Sequence, residues 1–364
     1  MSGDQSLLTG LRVLDISQFV PGPFATRTLS DLGADVIKVE PPGGEPFRFL
    51  VPGSKEKRLN PLYKTLNRGK RIVEWDLKRS VDKDKLFELV ASADAVLESY
   101  RPGVVDRLGI DFGACQSINP KLVYCSLSGY GQTGPHRNRA GHDINYCAVS
   151  GQLHTDMLDR GQSFGFPPLA DHTGAMLAAN SLLAGLYSAR SKNQGHYLDV
   201  SIYESMLSFQ YMALEDEHDG QSVYAEFIGG GAACYNIYGT SDSEYVSLGA
   251  VEPHFWTRFC DVVGRPDWVS RQFEDFPQNA LICEVQSEIQ KCSLAFWIER
   301  FADVDCCFEP VQCLSETLNH DQTISRQLVN NQDISFPLWI DGVPLAMQPD
   351  KIEPQFCSDA IKWR

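Results

Sequence analysis

The 364-residue chain is long enough for two domains, each with its own core. Its composition, 43% hydrophobic and 22% charged, is that of a globular protein and argues against a disordered or fibrous class. A formal net charge of −15 argues against nucleic acid or an anionic membrane surface as the main partner. One stretch runs against that balance: seven basic residues and one acid, Glu56, stand between Lys55 and Arg71. In so acidic a chain, such a cluster suits a small polyanion such as a phosphorylated ligand.

Eleven cysteines, an odd number without CxxC pairs, show neither zinc-site spacing nor a secreted disulfide framework, so a reducing compartment is expected. The opening MSGDQSLLTG lacks the basic and apolar regions of a signal peptide. The apolar stretch near 175–186 is too short and interrupted to span a bilayer. The closing Lys362-Trp363-Arg364 does not read as a peroxisomal address, and the cytoplasm is the expected compartment.

In chain order, LRVLDIS (11–17) reads as a strand, FATRTLSDLG (24–33) as an amphipathic helix closed by glycine, and DVIKVE (35–40) as a second strand. That alternation opens a parallel α/β sheet. The intervening QFVPGP is not GxGxxG, so dinucleotide binding in the usual Rossmann manner is not expected. Residues 41–66 read as a long loop. RIVEWDL (71–77) follows as a strand, 81–92 as a helix, and DAVLESY (94–100) as a strand. KLVYCSLSGYG (121–131) is the next strand, and its C-terminal end leads into GHDINY (141–146). Ligands in open α/β sheets gather outside the C-terminal strand ends, which makes this loop a candidate site.

Residues 151–170 read as loop, Thr173 to about Arg190 as a helix, and LDVSI (198–202) as a strand. A second region begins near GGGAACYNIY (229–238), with a strand EYVSLGAVE (244–252) and helices to about 330. The domains expected are thus 1–224, completed by a tail 331–364 that packs back on it, and 225–330.

Three residues are candidates for chemistry, each with a plainer reading beside it. His142 is a base or a hydrogen-bonded histidine where a strand meets a helix. Asp171 reads by itself as the N-cap of the helix that follows. Glu252 reads by itself as a strand-end residue before proline. Asp143 reads as a structural hydrogen-bonder. Backbone N–H groups at the start of the helix after Asp171 suit a developing oxyanion. The helix dipole would lower the Asp171 pKa, so burial must win if it is to act as a base.

The segments GHDINY, PPLADHTGAM (167–176) and LGAVEPHFW (248–256) stand with NRGKR, SYRPGVVDRLGI, GYGQTGP and the first forty residues. Together they resemble the class III CoA-transferase (CaiB/BaiF) superfamily, and within it the α-methylacyl-CoA racemase branch. The resemblance covers roughly residues 8–320. It implies an interlocked homodimer, with a Rossmann-like large domain built on a parallel sheet and a smaller α+β domain.

It also implies that His142 and Asp171 are the two proton-transfer residues, with Glu252 the partner of His142. CoA, bound as part of an acyl-CoA substrate with no separate cofactor or metal, would meet Lys78, Arg101, Arg107, Gly141 and Tyr146. Arg68, Lys70 and Arg71 are looser candidates for its 3′-phosphate. The chain departs from the racemase pattern in its long 41–66 loop, in His172, and in a GGGAACYNIY segment without the usual proline. The implied reaction inverts the α-carbon of a 2-methylacyl-CoA thioester by two-base proton transfer through an enolate. The alternative is a CoA-transferase in which Asp171 attacks the thioester as a nucleophile. A third reading is a CoA-binding protein that has lost activity.

Overall fold

The computed structural model describes residues 6–54, 56, 58–154, 166–220, 223–330, 333–345, 353–357 and 361–364. The chain forms two compact units: Met1–Ser150 with Phe164–Ser208 and Asp321–Arg364, and Gly151–Ser163 with Phe209–His320. The expected boundary at 224/225 falls inside the second unit, because the helices Tyr211–Asp219 and Val223–Glu226 pack on each other.

The first unit is built on β1 (Arg12–Ile16), β2 (Asp35–Glu40), β3 (Arg71–Glu74), β4 (Ala95–Glu98), β5 (Val123–Ser128) and β6 (His196–Ser201). They lie in the order 3-2-1-4-5-6, and a short tail strand, Gln355–Phe356, adds beside β3. Every pairing is parallel. Strands covered on both faces need apolar residues throughout, and all six residues of β5 are buried. The edge strand β6 alternates between half-buried and exposed positions before it buries Val200 and Ser201.

Reading QFVPGP as a turn ends the strand correctly but starts the helix too late. The helix runs Pro21–Asp31, with proline in its first turn, where a missing N–H costs nothing. Gly22 allows that start, since a Cβ there would lie 2.2 Å from the Ser17 Cβ. The long loop is likewise more ordered than its composition suggests. It holds a 3₁₀ turn, Pro46–Arg48, and a helix Pro61–Asn67 capped by the Asn60 side chain on Leu62 N–H. The segment expected as loop from 151 is helical at 152–154, and its residues 155–165 lie outside the described ones. The helix after it runs Leu169–Lys192, four residues earlier than expected.

The second unit packs an antiparallel sheet of Tyr235–Gly239, Tyr245–Gly249 and Phe308–Pro310 against helices Pro253–Val263, Asn279–Ile289 and Leu294–Phe301. Trp256, Phe259, Trp268 and Trp297 fill its core. Among the described residues, no helix is long and apolar enough to cross a membrane.

Candidate active site

In the 3-2-1-4-5-6 order the connections reverse between β1 and β4, which opens a crevice beyond the C-terminal ends of the central strands. A cleft of about 490 Å³ lies there, wholly within the first unit. Gln18 and Phe19 line it after β1, Ser99 to Arg101 after β4, and Leu127 to Gly129 at the end of β5. Gly141, His142 and Tyr146 close one side, with Asp171 beside them.

Asp171 is not the N-cap. It stands in the first turn of the helix Leu169–Lys192, because Leu169 and Ala170 already have helical geometry. Its backbone N–H donates to Asp143 Oδ1 at 2.9 Å. The Ala170 N–H bonds the Cys147 sulfur, whose thiol approaches Asp143 Oδ2 at 3.9 Å. The oxyanion donors were expected after Asp171. The helix starts earlier, its amides at 170 and 171 are occupied inside the protein, and the His172 N–H donates to the Pro168 carbonyl at 3.3 Å. Asp143 is the structural hydrogen-bonder expected. The Asp171 carboxyl is pushed up to about 7, first by burial and then by the nearby Asp143. Burial thus outweighs the helix dipole, and the group is poised near neutrality.

His142 occupies the N-cap position of the helix Asp143–Val149, and its own N–H donates to Asn145 Oδ1 at 3.0 Å. Its imidazole is exposed, edge-on to the Phe19 ring with centroids 6.4 Å apart. Tyr146 is a wall rather than an acid. Its hydroxyl donates to Gly141 O at 2.9 Å, and burial, then Asp171 and Tyr130, push it up to about 12. Gly129 and Gly141 make room for that ring, which a Cβ at either position would strike. Glu252 belongs to the second unit, at the N-cap position of the helix Pro253–Val263. There, after burial, its charge raises the Cys307 thiol.

The basic candidates divide sharply. Arg101 is exposed on the cleft wall; Lys78 and Arg107 are exposed and do not line it. Arg68, Lys70 and Arg71 are buried and turn inward. Arg68 pairs with Asp31 at 2.9 Å and Asp333 at 2.7 Å, Lys70 with Asp15 at 2.9 Å, and Arg71 with Asp35 at 2.6 Å. Charges in a dry interior must be matched, so these three serve the fold in place of the 3′-phosphate role expected of them. Lys55 and Lys57 lie outside the described residues.

Sequence reasoning missed Arg137 and Arg139, exposed on the cleft wall beside Arg101. Among the described residues none of these three arginines forms an ion pair. Their alternation in HRNRAGH, just before His142, was the available signal. It also missed Gln18 and Phe19, in the turn after the first strand.

A parallel sheet in this order, with a shifted carboxyl and an imidazole at its switch point, defines an α/β enzyme. The chain belongs to CoA-transferase family III, whose family model matches residues 8–355. It is 31% identical over 332 residues to α-methylacyl-CoA racemase of Mus musculus, covering 88% of this chain and 81% of that protein. It is also 30% identical over 332 residues to acetyl-CoA:oxalate CoA-transferase of Acetobacter aceti, covering 88% and 84%. Among solved structures it resembles Rv3272 of Mycobacterium tuberculosis, with a TM-score of 0.80, 26% identity and 96% of each chain covered.

Proposed function

We propose that the protein inverts the α-carbon of a 2-methyl-branched acyl-CoA thioester, with Asp171 and His142 as the two bases. The supporting observation is the Asp171 carboxyl, held at about 7 by burial and Asp143, in one cleft with the His142 imidazole. A group with that value is present both as carboxylate and as acid near pH 7, so it can take the α-proton of one enantiomer and return a proton to the other. In each direction one base removes the proton, the electron pair moves into the thioester as an enolate, and the opposite base delivers a proton to the other face. The thioester bond stays intact.

Arg101, Arg137 and Arg139 supply cationic charge for CoA phosphates at the cleft wall. In this reading the protein is an interlocked homodimer that brings Glu252 to a His142 imidazole and steadies its cationic form. A stable, active monomer in light scattering would count against that assembly.

The CoA-transferase reading uses the same Asp171 as a nucleophile. It draws support from the absence, among the described residues, of an ion pair to that carboxyl. Incubation with a 2-methylacyl-CoA in D2O separates the two. Inversion with α-deuterium is expected, without transfer of CoA to an added carboxylate. Asp171→Asn and His142→Ala should each abolish inversion and lower exchange by roughly 10²–10⁴-fold, the usual loss for a missing acid–base group. The transferase reading predicts that His142→Ala leaves CoA transfer nearly intact. Full racemisation by His142→Ala would make GHDINY purely structural.

A further inference from the structure

The turn leading from β1 into the helix Pro21–Asp31 is held by polar groups at three successive residues. Lys38 Nζ donates to the Ser17 carbonyl at 2.6 Å. The Gln18 N–H donates to Ser99 Oγ at 2.9 Å, and the Phe19 N–H to Glu45 Oε2 at 2.7 Å. Lys38 and Glu45 have fully buried side chains, and their charges meet at 3.2 Å, as an ion pair rather than an aligned hydrogen bond. Burial opposes both charges. Asp15, Glu45 and Glu40 nevertheless raise Lys38 above its ordinary range, so it stays cationic.

This clamp fixes Phe19 at φ +62°, a left-handed conformation that side chains other than glycine rarely adopt. Glycine would fit there without strain, yet the position carries a large aromatic ring, 38% exposed, on the wall of the cleft. Strain that the surroundings over-determine is a pointer to function. The Gln18 side chain is already bonded to Tyr100, so the Phe19 ring is the face this turn offers the cleft. The ring packs near Phe47, with centroids 6.3 Å apart, and near the imidazole of His142 at 6.4 Å. A carbon presented to His142 therefore comes within reach of Phe19.

We propose that Phe19 determines specificity, its ring forming the wall that limits the branch on the α-carbon to a small alkyl group. Glu45 is the positioning residue that holds the ring there. This rests on the proposed two-base reading of the cleft, since it takes His142 to face the α-carbon.

Calorimetric titration of CoA, 2-methylpropanoyl-CoA and 2-ethylbutanoyl-CoA into the full-length wild type, Phe19→Ala and Phe19→Gly tests it. In both variants the affinity for CoA itself should stay within about twofold. The ratio of affinities should move toward the bulkier thioester by roughly tenfold or more, the scale on which apolar pockets discriminate by size. Phe19→Gly should melt no lower than Phe19→Ala, because φ +62° costs glycine nothing. Glu45→Gln keeps an acceptor for the Phe19 N–H and should behave as wild type, whereas Glu45→Ala should shift the ratio in the same direction as Phe19→Ala. An unchanged ratio in both Phe19 variants, or an equal loss for CoA and both thioesters, overturns the proposal. The ratio shift with no α-proton exchange by the wild type would instead count against the two-base reading and leave the wall standing.

Discussion

Two carboxylates of the first unit, Asp15 and Asp171, lose solvent, the first fully and the second in part, and move in opposite directions. Asp15 sits fully buried on β1 with Lys70 at 2.9 Å and hydrogen bonds from Ser17 and Thr26. Burial alone would raise it, but Lys38 and Lys70 outweigh that penalty and hold it far below the usual carboxylate range. Asp171 has burial and a like charge, Asp143, and among the described residues no ion pair, so it rises to about 7. Burial does not separate a structural acid from a reactive one; the partners do. The first network locks the strand, helix and turn around Ser17, and the second leaves a group free to exchange protons.

The largest effect that would break this contrast is on the Asp15 side. Lys70→Ala should lower the unfolding free energy in urea by about 3–5 kcal/mol, the scale for stranding one member of a buried ion pair. Asp15 is lowered in the fold, so its contribution is present above its unfolded value, near 4, and is lost as the pH falls. The deficit of Lys70→Ala should therefore narrow in acid. A variant as stable as the wild type at pH 7 would remove the structural role assigned to the pair.

Glu98, at the end of β4 beneath Ser99 and Tyr100, supplies a smaller test. It accepts the Tyr100 N–H at 2.7 Å, and burial pushes it up to about 7 from an ordinary 4.5. A carboxyl raised in the fold binds its proton more tightly there than when unfolded. Its contribution is thus full below about 4.5 and is lost as the pH rises through about 7. Glu98→Gln should match the wild type near pH 4 and exceed it by roughly 3 kcal/mol above pH 8, read from urea midpoints. Parallel pH curves for the two proteins would show that Glu98 does not titrate in this range.

The finest effect sharpens the Asp171 side. Asp143→Asn keeps an oxygen to accept the Asp171 N–H but removes the like charge that adds to burial in raising the carboxyl. In the proposed two-base reading proton removal by Asp171 needs its ionised form, so exchange should rise with pH through about 7 in the wild type. In the variant that limb should move to lower pH with the plateau largely kept. An unmoved limb would assign the whole shift to burial.

Much of the fold was legible because its signals are local. DVIKVE matches β2 residue for residue, and apolar runs such as VYCSLS declare strands covered on both faces. Helix starts were harder. Pro21 and Leu169 begin helices that composition placed at Phe24 and Thr173, since packing such as that of Gly22 on Ser17 decides how early a chain turns helical. In the site, His142 and Arg101 were visible in the segments that follow strands and Asp171 at a helix start, and the cleft brings them together.

The 55–71 basic cluster shows where that reading stops. Seven positive charges in a run look like a phosphate surface, but alternation along β3 and the turn before it points Arg68, Lys70 and Arg71 at Asp31, Asp15 and Asp35. Those acids lie dozens of residues away, and no local pattern announces the pairing.

The sequence alone determined the parallel α/β architecture and the family resemblance, and through that resemblance singled out His142 and Asp171 as candidates, because periodicity and motif spacing are written along the chain. Tertiary structure decided which charges are structural, where Asp171 titrates, and that Phe19 stands on the cleft wall. Each depends on groups far apart in sequence whose distances, and whose removal from water, exist only once the chain has folded.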